Sequence, residues 1–305
     1  MKPERPNLPP WLHVSFRGAR PRRRLRKLLR DLNLHTVCEG AACPNLCECW
    51  ERGTATFMIL GDTCTRNCQF CNVTHGVPTK PDPAEPQHIT EAVEKLGLKY
   101  VVLTSVTRDD LPDFGAAHFA AVVNCLRCRF PHIGIEVLTP DFAGKQEPID
   151  TVLASRPNVY NHNIETCARL SPQIRPDADY CRSLSVLNHA AHSSAASETL
   201  VKSGFMLGLG ETAQEIHQLL ADLKGQGVQI LTIGQYLAPS SSHWPVDHYI
   251  TPEVFEEWGR IAREEYGFSH VVSAPLVRSS YMAEQVAFGD ANRDLQDASR
   301  QNSIE

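Results

Sequence analysis

The chain has 305 residues, enough to bury one large core, with 42% hydrophobic and 21% charged residues and a formal net charge of −5. This is the composition of a globular enzyme, and its mild acidity argues against nucleic-acid binding. No apolar stretch reaches the roughly 18 residues that span a bilayer, and no signal-peptide core is visible, so a cytoplasmic protein away from membranes is expected.

Eleven cysteines are present, an odd number, and seven of them fall between positions 38 and 71. Close-spaced clusters in a chain of this kind point to metal binding before disulfides. Residues 1–20 are rich in proline and arginine and read as an extended arm. From Arg20 to Leu34, Leu25, Leu28, Leu29 and Leu32 share one helical face, with arginines opposite. That basic face is either solvated or a docking surface for an acidic partner.

Next come Cys38, Cys43, Cys47 and Cys49, and then an apolar run, Thr56–Leu60, that predicts a buried strand. Its C-terminal end opens into Cys64-Thr-Arg-Asn-Cys68-Gln-Phe-Cys71. Beyond Gly61, β-like runs at Tyr100–Thr104, Gly134–Leu138, Val159–Ile164, Leu200–Leu207 and Gln229–Tyr236 alternate with helical patterns. Those patterns lie near 86–97, 115–129, 147–155, 179–192 and 212–225. A last helix (252–266), a strand (His270–Ser273) and Arg278-Ser-Ser-Tyr281 follow. The alternation predicts an α/β fold with a parallel sheet, a partial (β/α)6 barrel rather than a closed eight-fold one. Residues 1–50 form a cysteine-rich extension, 51–284 the barrel, and 285–305 a polar tail.

An iron–sulfur cubane normally takes four thiolates, and a C-x3-C-x2-C loop supplies three, which leaves one iron open. A zinc site completed by His75 is the alternative, although zinc sites usually pair C-x2-C units. For Cys38, Cys43 and Cys49 the alternatives are zinc or buried thiols. Cys47 adds competing C-x3-C and C-x-C spacings.

The triplet, with Phe70 before its third cysteine, resembles the loop of the radical S-adenosylmethionine superfamily. The resemblance narrows to the lipoyl synthase family through Thr36–Phe57 (TVCEGAACPNLCECWERGTATF) and Leu103–Leu111 (LTSVTRDDL). Leu138–Gly144 (LTPDFAG), Tyr160–Thr166 (YNHNIET), Lys202–Thr212 (KSGFMLGLGET), Leu231–Tyr236 (LTIGQY) and Leu276–Tyr281 (LVRSSY) add to it. It covers about residues 30–284. It implies two 4Fe–4S clusters and S-adenosylmethionine. Cys64, Cys68 and Cys71 would hold the first cluster, and Cys38, Cys43 and Cys49 the auxiliary one. Ser280, with Ser279 as fallback, would be the fourth ligand of the auxiliary cluster, on a C-terminal segment closing over the barrel. Phe70, Ser105, Asp109, Asn163 and Glu165 are the implied cosubstrate contacts, with hydrogen bonding between rim loops as their alternative. Asn72, Phe114 and Ala274 depart from the family pattern, and Cys47 is an additional thiol.

The implied reaction places two sulfur atoms, taken from the auxiliary cluster, at C6 and C8 of a protein-bound octanoyl-lysine, by a radical sulfurtransferase. The implied partners are octanoylated lipoyl carrier domains: the acyltransferase subunits of 2-oxo-acid dehydrogenases and the glycine-cleavage H protein. A low-potential electron donor is also implied. Burying an octanoyl chain gains roughly 5 kcal/mol at about 0.8 per methylene, which is weak once ordering is subtracted, so the carrier surface must contribute. The Arg22–Arg30 face is the candidate. Charge reversal at Arg22, Arg23 and Arg24 should then slow turnover of an intact carrier more than of an octanoyl-lysine peptide, and equal losses would dismiss the idea.

Gly208 and Gly210 are read either as a close approach to adenine or as a tight strand-to-helix turn, with Glu211 or Thr212 capping the next helix. Cys125, Cys128, Cys167 and Cys181 are expected as buried thiols. His118, His162 and His189 are expected to be structural or surface residues.

Overall fold

A computed structural model describes residues 8–13, 26–37, 45, 49, 53–196 and 198–284. Cys38, Cys43, Cys47, Leu25, Arg22 to Arg24 and the tail from 285 lie outside the described residues. Seven strands pair in chain order, all parallel: β1 (Thr54–Ile59), β2 (Tyr100–Ser105), β3 (Gly134–Leu138), β4 (Val159–Asn161), β5 (Leu200–Leu207), β6 (Ile230–Gln235) and β7 (His270–Ser273). His35–Thr36 adds a short antiparallel edge to β1. Six helices alternate with the strands: α1 (Glu85–Leu96), α2 (Ala116–Arg129), α3 (Gln146–Ala154), α4 (Tyr180–His192), α5 (Ala213–Gly225) and α6 (Pro252–Glu264). The expected six β/α units are therefore present, with β7 added and the sheet open between its two end strands among the described residues.

The strands are apolar along their length because helices cover one face and the lumen occupies the other. All six residues of β1 are buried. The helices bury one stripe each: Ile89, Ala92 and Val93 on α1, and Ile216, Leu219, Leu220 and Leu223 on α5. Gly97, at φ 61, ends α1 in the left-handed turn that glycine permits. Thr212 and Glu215 open α5 with a reciprocal capping box, which settles the cap on Thr212. Upstream, Leu29 and Leu32 are buried and Leu28 packs against the core, as the periodicity of that basic helix predicts.

Two strands stop earlier than their β-like runs suggest, and for the first the backbone gives the reason. Leu60 turns to φ 68 immediately after β1. β4 ends at Asn161, and Glu165 further on sits at φ 67. Bulky residues in left-handed conformations are uncommon and mark places where the surroundings dictate the backbone. Phe114 is another, at φ 57 with the Lys145 ammonium 4.8 Å over its ring.

The lumen carries a polar layer. Lys202 Nζ lies 2.9 and 3.0 Å from the two oxygens of Glu136, and Asn161 Nδ2 donates to the same carboxylate at 2.9 Å. All three residues are fully buried. Such a pair adds little net stability, but it makes the register of β3, β4 and β5 hard to change, because either charge alone would be stranded.

His162, just past β4, is buried among polar partners. Thr139 O can only accept, so Nδ1 carries the proton and donates to it at 2.9 Å. Nε2 then accepts from Ser183 Oγ at 3.0 Å. Burial first, and the nearby Arg175 charge second, push the imidazole down to about 4. The folded state thus holds this ring neutral while the unfolded chain protonates it near pH 6.5. Its contribution is present above about pH 6.5 and is lost as pH falls toward 4, on the order of 3 kcal/mol in total. Urea unfolding at pH 7, 6, 5 and 4 should show that decline, and His162→Gln should flatten it. An unchanged slope in the variant would assign the decline to other groups.

Candidate functional site

The loop after β1 is fastened at both ends. Thr63–Cys64 pairs in parallel with Thr74–His75, and Gly76 N donates to Cys64 O at 2.9 Å. Within it Cys71 N reaches Cys68 O at 3.1 Å, which folds the C-x2-C portion into a turn. Gln69 N donates to Ile174 O at 2.8 Å, on a short helix (Ser171–Ile174) that the sequence reading did not contain. The sulfur of Cys64 accepts from the backbone amides of Arg66 at 3.5 Å and Thr107 at 3.3 Å. Amides aimed at a cysteine sulfur tune an iron–sulfur site toward easier reduction.

Arg66, inside the triplet, is the loop's main anchor. Its Nε and Nη2 bind Asp109 at 2.7 and 2.8 Å, and its Nη1 and Nη2 bind Asp141 at 2.9 and 2.8 Å. Burial works against the guanidinium charge, but the two carboxylates outweigh it and hold Arg66 firmly protonated. Burial alone would likewise raise Asp141; the Arg66 hydrogen bonds and charge reverse that and hold it at about 2. Arg182 Nε forms a further ion pair with Asp141 at 2.8 Å. The loop is thereby tied to the ends of β2 and β3. Sequence reasoning passed over Arg66 and Asp141; a lone arginine enclosed by three cysteines, and an aspartate at a strand end, were the available signals.

The three thiols are half-buried and free of disulfides. Burial pushes Cys68 up to about 12, with the Arg175 charge opposing and the neighbouring Cys71 and Cys64 adding to the rise. Cys71 is raised chiefly by burial as well. Thiols in such a place need a bound Lewis acid to become thiolates, which suits an iron cluster. Among the described residues no three His, Cys, Asp or Glu side chains are gathered to hold a single metal ion. His75, the zinc alternative's fourth ligand, is exposed beside Cys64 in the short ladder.

The strand ends supply the rest of the mouth. Ser105 Oγ, at the end of β2, is buried and has no hydrogen-bond partner, and the same is true of Asn163 Oδ1 past β4. Buried polar atoms without partners are costly, and two on one rim fit a polar cosubstrate such as S-adenosylmethionine. Glu165 is half-buried there, raised by burial against the opposing Arg175 charge. Asp109 is at the rim as expected, with both oxygens engaged by Arg66 and one also by Thr65. Phe70 packs its ring against the core. Gly208 makes room for the loop after β6: a Cβ there would stand 2.2 Å from Gln235 Nε2 and 2.5 Å from His248 O. The turn reading therefore accounts for that glycine. Cys128 and Cys181 are exposed, contrary to the expectation of burial, since both lie on outward helix faces; Cys167 is buried.

That loop after β6 covers the cysteine loop. Trp244 N donates to Gln69 O at 2.9 Å, and His243 Nε2 lies 3.1 Å from Cys71 O. The C-terminal segment then crosses the mouth. Gln235 N donates to Pro275 O at 3.2 Å, and Gly234 lets Val277 O pass where a Cβ would meet it at 2.2 Å. Asn163 Nδ2 donates to Ser279 Oγ at 2.6 Å. Further on, Ala283 packs against Tyr100 and Val102, and Thr54 Oγ1 donates to Glu284 Oε2 at 3.0 Å. On the other side Asn45, between Cys43 and Cys49, donates from Nδ2 to Leu276 O at 2.7 Å. Cys49 N donates to Asn45 O at 3.0 Å. The segment that carries the serines is thus tied at Leu276 to Asn45, the described residue between Cys43 and Cys49 in sequence.

Comparison with known proteins agrees. The profile of the radical SAM superfamily matches residues 58–223, and that of the N-terminal domain of lipoyl synthase matches residues 1–43. The lipoyl synthase of Methylococcus capsulatus is 54% identical over 280 residues, 92% of this chain and 86% of that protein. That of Caldicellulosiruptor saccharolyticus is 51% identical, covering 91% of this chain and 96% of its own length. Among solved structures, HydG, a maturase of the FeFe-hydrogenase, superposes with a TM-score of 0.59 at 15% identity, over 77% of this chain and 55% of that one. Streptococcus suis SuiB bound to S-adenosylmethionine gives 0.56 at 11%, over 83% and 60%, a likeness of fold.

Proposed function

The chain belongs to the lipoyl synthase family of the radical S-adenosylmethionine superfamily, and on that premise we propose that it inserts two sulfur atoms, at C6 and C8, into an octanoyl chain borne on a protein lysine. The observation that carries the reading is the course of the C-terminal segment. It is tied on one side to Asn45, inside the first cysteine set, and on the other to Asn163, on the rim above the triplet. When bound, S-adenosylmethionine and the first cluster supply the radical that removes hydrogen, and the auxiliary cluster supplies sulfur. Unactivated methylenes offer no proton for acid–base chemistry, so nothing milder serves.

Cys64, Cys68 and Cys71 are the ligands of the first cluster, leaving one iron for the cosubstrate. Ser105 and Asn163 offer their unpartnered atoms to its polar groups, with Glu165 beside them and Phe70 shaping the loop. Asp109 acts through Arg66, since both its oxygens are already engaged. Cys38, Cys43, Cys49 and Ser280 hold the auxiliary cluster. Ser279 is the weaker choice for that fourth position, because its hydroxyl already accepts from Asn163. The loop carrying His243 and Trp244 partly covers the cysteine loop, which would help shield a radical from side reactions.

The partners proposed are octanoylated acyltransferase subunits and glycine-cleavage H protein, with a low-potential electron donor, in the reducing cytoplasm. No helix among the described residues is long and apolar enough to cross a membrane. The division into a 1–50 extension, a 51–284 barrel and a 285–305 tail is part of the same proposal. Anaerobic reconstitution should give about eight irons and eight sulfides per chain, two cubanes. Mass spectrometry of an octanoylated carrier with reductant and S-adenosylmethionine should show a gain of two sulfurs. Zinc alone, or cleavage of S-adenosylmethionine with an unchanged carrier, would overturn the reading.

A further inference from the structure

Asn163 faces two ways. Its Nδ2 donates to Ser279 Oγ at 2.6 Å, while its Oδ1 is buried and without a partner. Gly204 keeps that carbonyl clear: a Cβ there would stand 3.1 Å from Oδ1 and 2.3 Å from Thr232 Oγ1. The close seating of the Asn163 amide against β5 thus depends on that glycine. Ser279, at the other end of the amide, directly precedes Ser280 and lies in the turn closed by Tyr281 N and Arg278 O at 2.9 Å.

A serine hydroxyl can accept or donate, so it tolerates either orientation of a planar amide. Asn163 touches both sites at once, its Nδ2 at the serine turn and its Oδ1 at the rim. A cosubstrate presenting an N–H or O–H donor beside Oδ1 selects the orientation that sends Nδ2 to Ser279. The carboxylate of Glu165 favours the same orientation, since an Asn163 hydrogen bond helps hold it down. We infer that Asn163, through Ser279, is a positioning residue that couples occupancy of the S-adenosylmethionine site to the seating of the Ser280 turn on the auxiliary cluster. The warrant is one side-chain amide whose two ends lie at the two sites. The inference rests on the cluster and cosubstrate assignments proposed above.

Coupling of this kind is reciprocal: if the cosubstrate secures the turn, a seated auxiliary cluster must tighten cosubstrate binding by the same factor. Equilibrium binding of S-adenosylmethionine is measured anaerobically, without reductant or octanoyl substrate, on the reconstituted full chain and on its Cys38→Ala/Cys43→Ala/Cys49→Ala variant. Iron is counted in both. Loss of the auxiliary cluster should halve the iron and weaken binding by about five-fold or more, the usual range of coupling. In a Ser279→Ala background the ratio of the two dissociation constants should fall to one, whereas Ser279→Thr, which keeps the hydroxyl, should preserve it. An undiminished ratio in Ser279→Ala overturns the inference, as does a ratio of one in the parent protein with halved iron. An iron count that the three cysteine substitutions leave unchanged would instead overturn the cluster assignment beneath it.

Discussion

Arg66→Met should unfold at markedly lower denaturant than the parent and should fail to keep the iron of its first cluster. The guanidinium is 8% exposed and serves two carboxylates, one of them, Asp141, fully buried. Methionine fills similar volume but leaves Asp141 with only the partly exposed Arg182. Removing one partner of a buried ion pair costs about 3–5 kcal/mol, far more than the pair contributes when intact. Arg66→Lys should rescue little, because an ammonium cannot span both carboxylates as the forked guanidinium does. The pH dependence gives a second readout. In the parent, Asp141 is held at about 2, so its contribution is complete above the ordinary aspartate range and fades only as pH falls toward 2. Without Arg66, burial is unopposed by its main partner and the loss should begin at higher pH. Equal melts and equal iron in the parent and Arg66→Met would show that the clamp is not what shapes the loop.

That clamp also marks where sequence reading stops. The strands were legible because parallel strands under helices must be mostly apolar, as in YVVLT. The triplet was legible because cluster ligation demands a fixed short spacing of thiols. Arg66 was not, since a charged residue in a loop looks solvated until one knows that the ends of β2 and β3 bring Asp109 and Asp141 to it. Glu136 and Lys202 did carry a signal, each a charge inside an otherwise apolar strand, yet only the register of β3, β4 and β5 pairs them. The C-terminal segment has no periodicity at all. Its course is set by contacts made one at a time, at Gly234, Asn163, Tyr100 and Thr54, and only resemblance pointed to its serines. Phe114 is the converse case: the resemblance marked the position as one for glycine, and the backbone there is left-handed, at φ 57, a conformation glycine adopts without strain.

The last expectation concerns those serines. Ser280→Ala should lose sulfur insertion by at least about 100-fold, beyond the 10–100-fold typical of groups that merely support a ligand, while cleavage of S-adenosylmethionine continues. The turn holding Ser280 is held by several contacts: Arg278 Nη1 donates to Val277 O at 2.7 Å, Ser279 Oγ accepts from Asn163, and Ala283 is buried below. As the proposed fourth ligand, Ser280 would offer a hard oxygen donor at an iron–sulfur site, where thiolate is favoured. Position is kept while bond strength is given up, which suits a cluster that must be taken apart. Ser280→Cys should therefore hold iron against a chelator longer than the parent and yet deliver less sulfur. The alanine variant should do the opposite on the first measure and the same on the second. Mass spectrometry of the carrier, run beside an assay of cosubstrate cleavage and a timed chelation of iron, separates the three proteins. Parent-like sulfur insertion by both variants would mean that the segment only roofs the barrel and that the fourth ligand lies elsewhere.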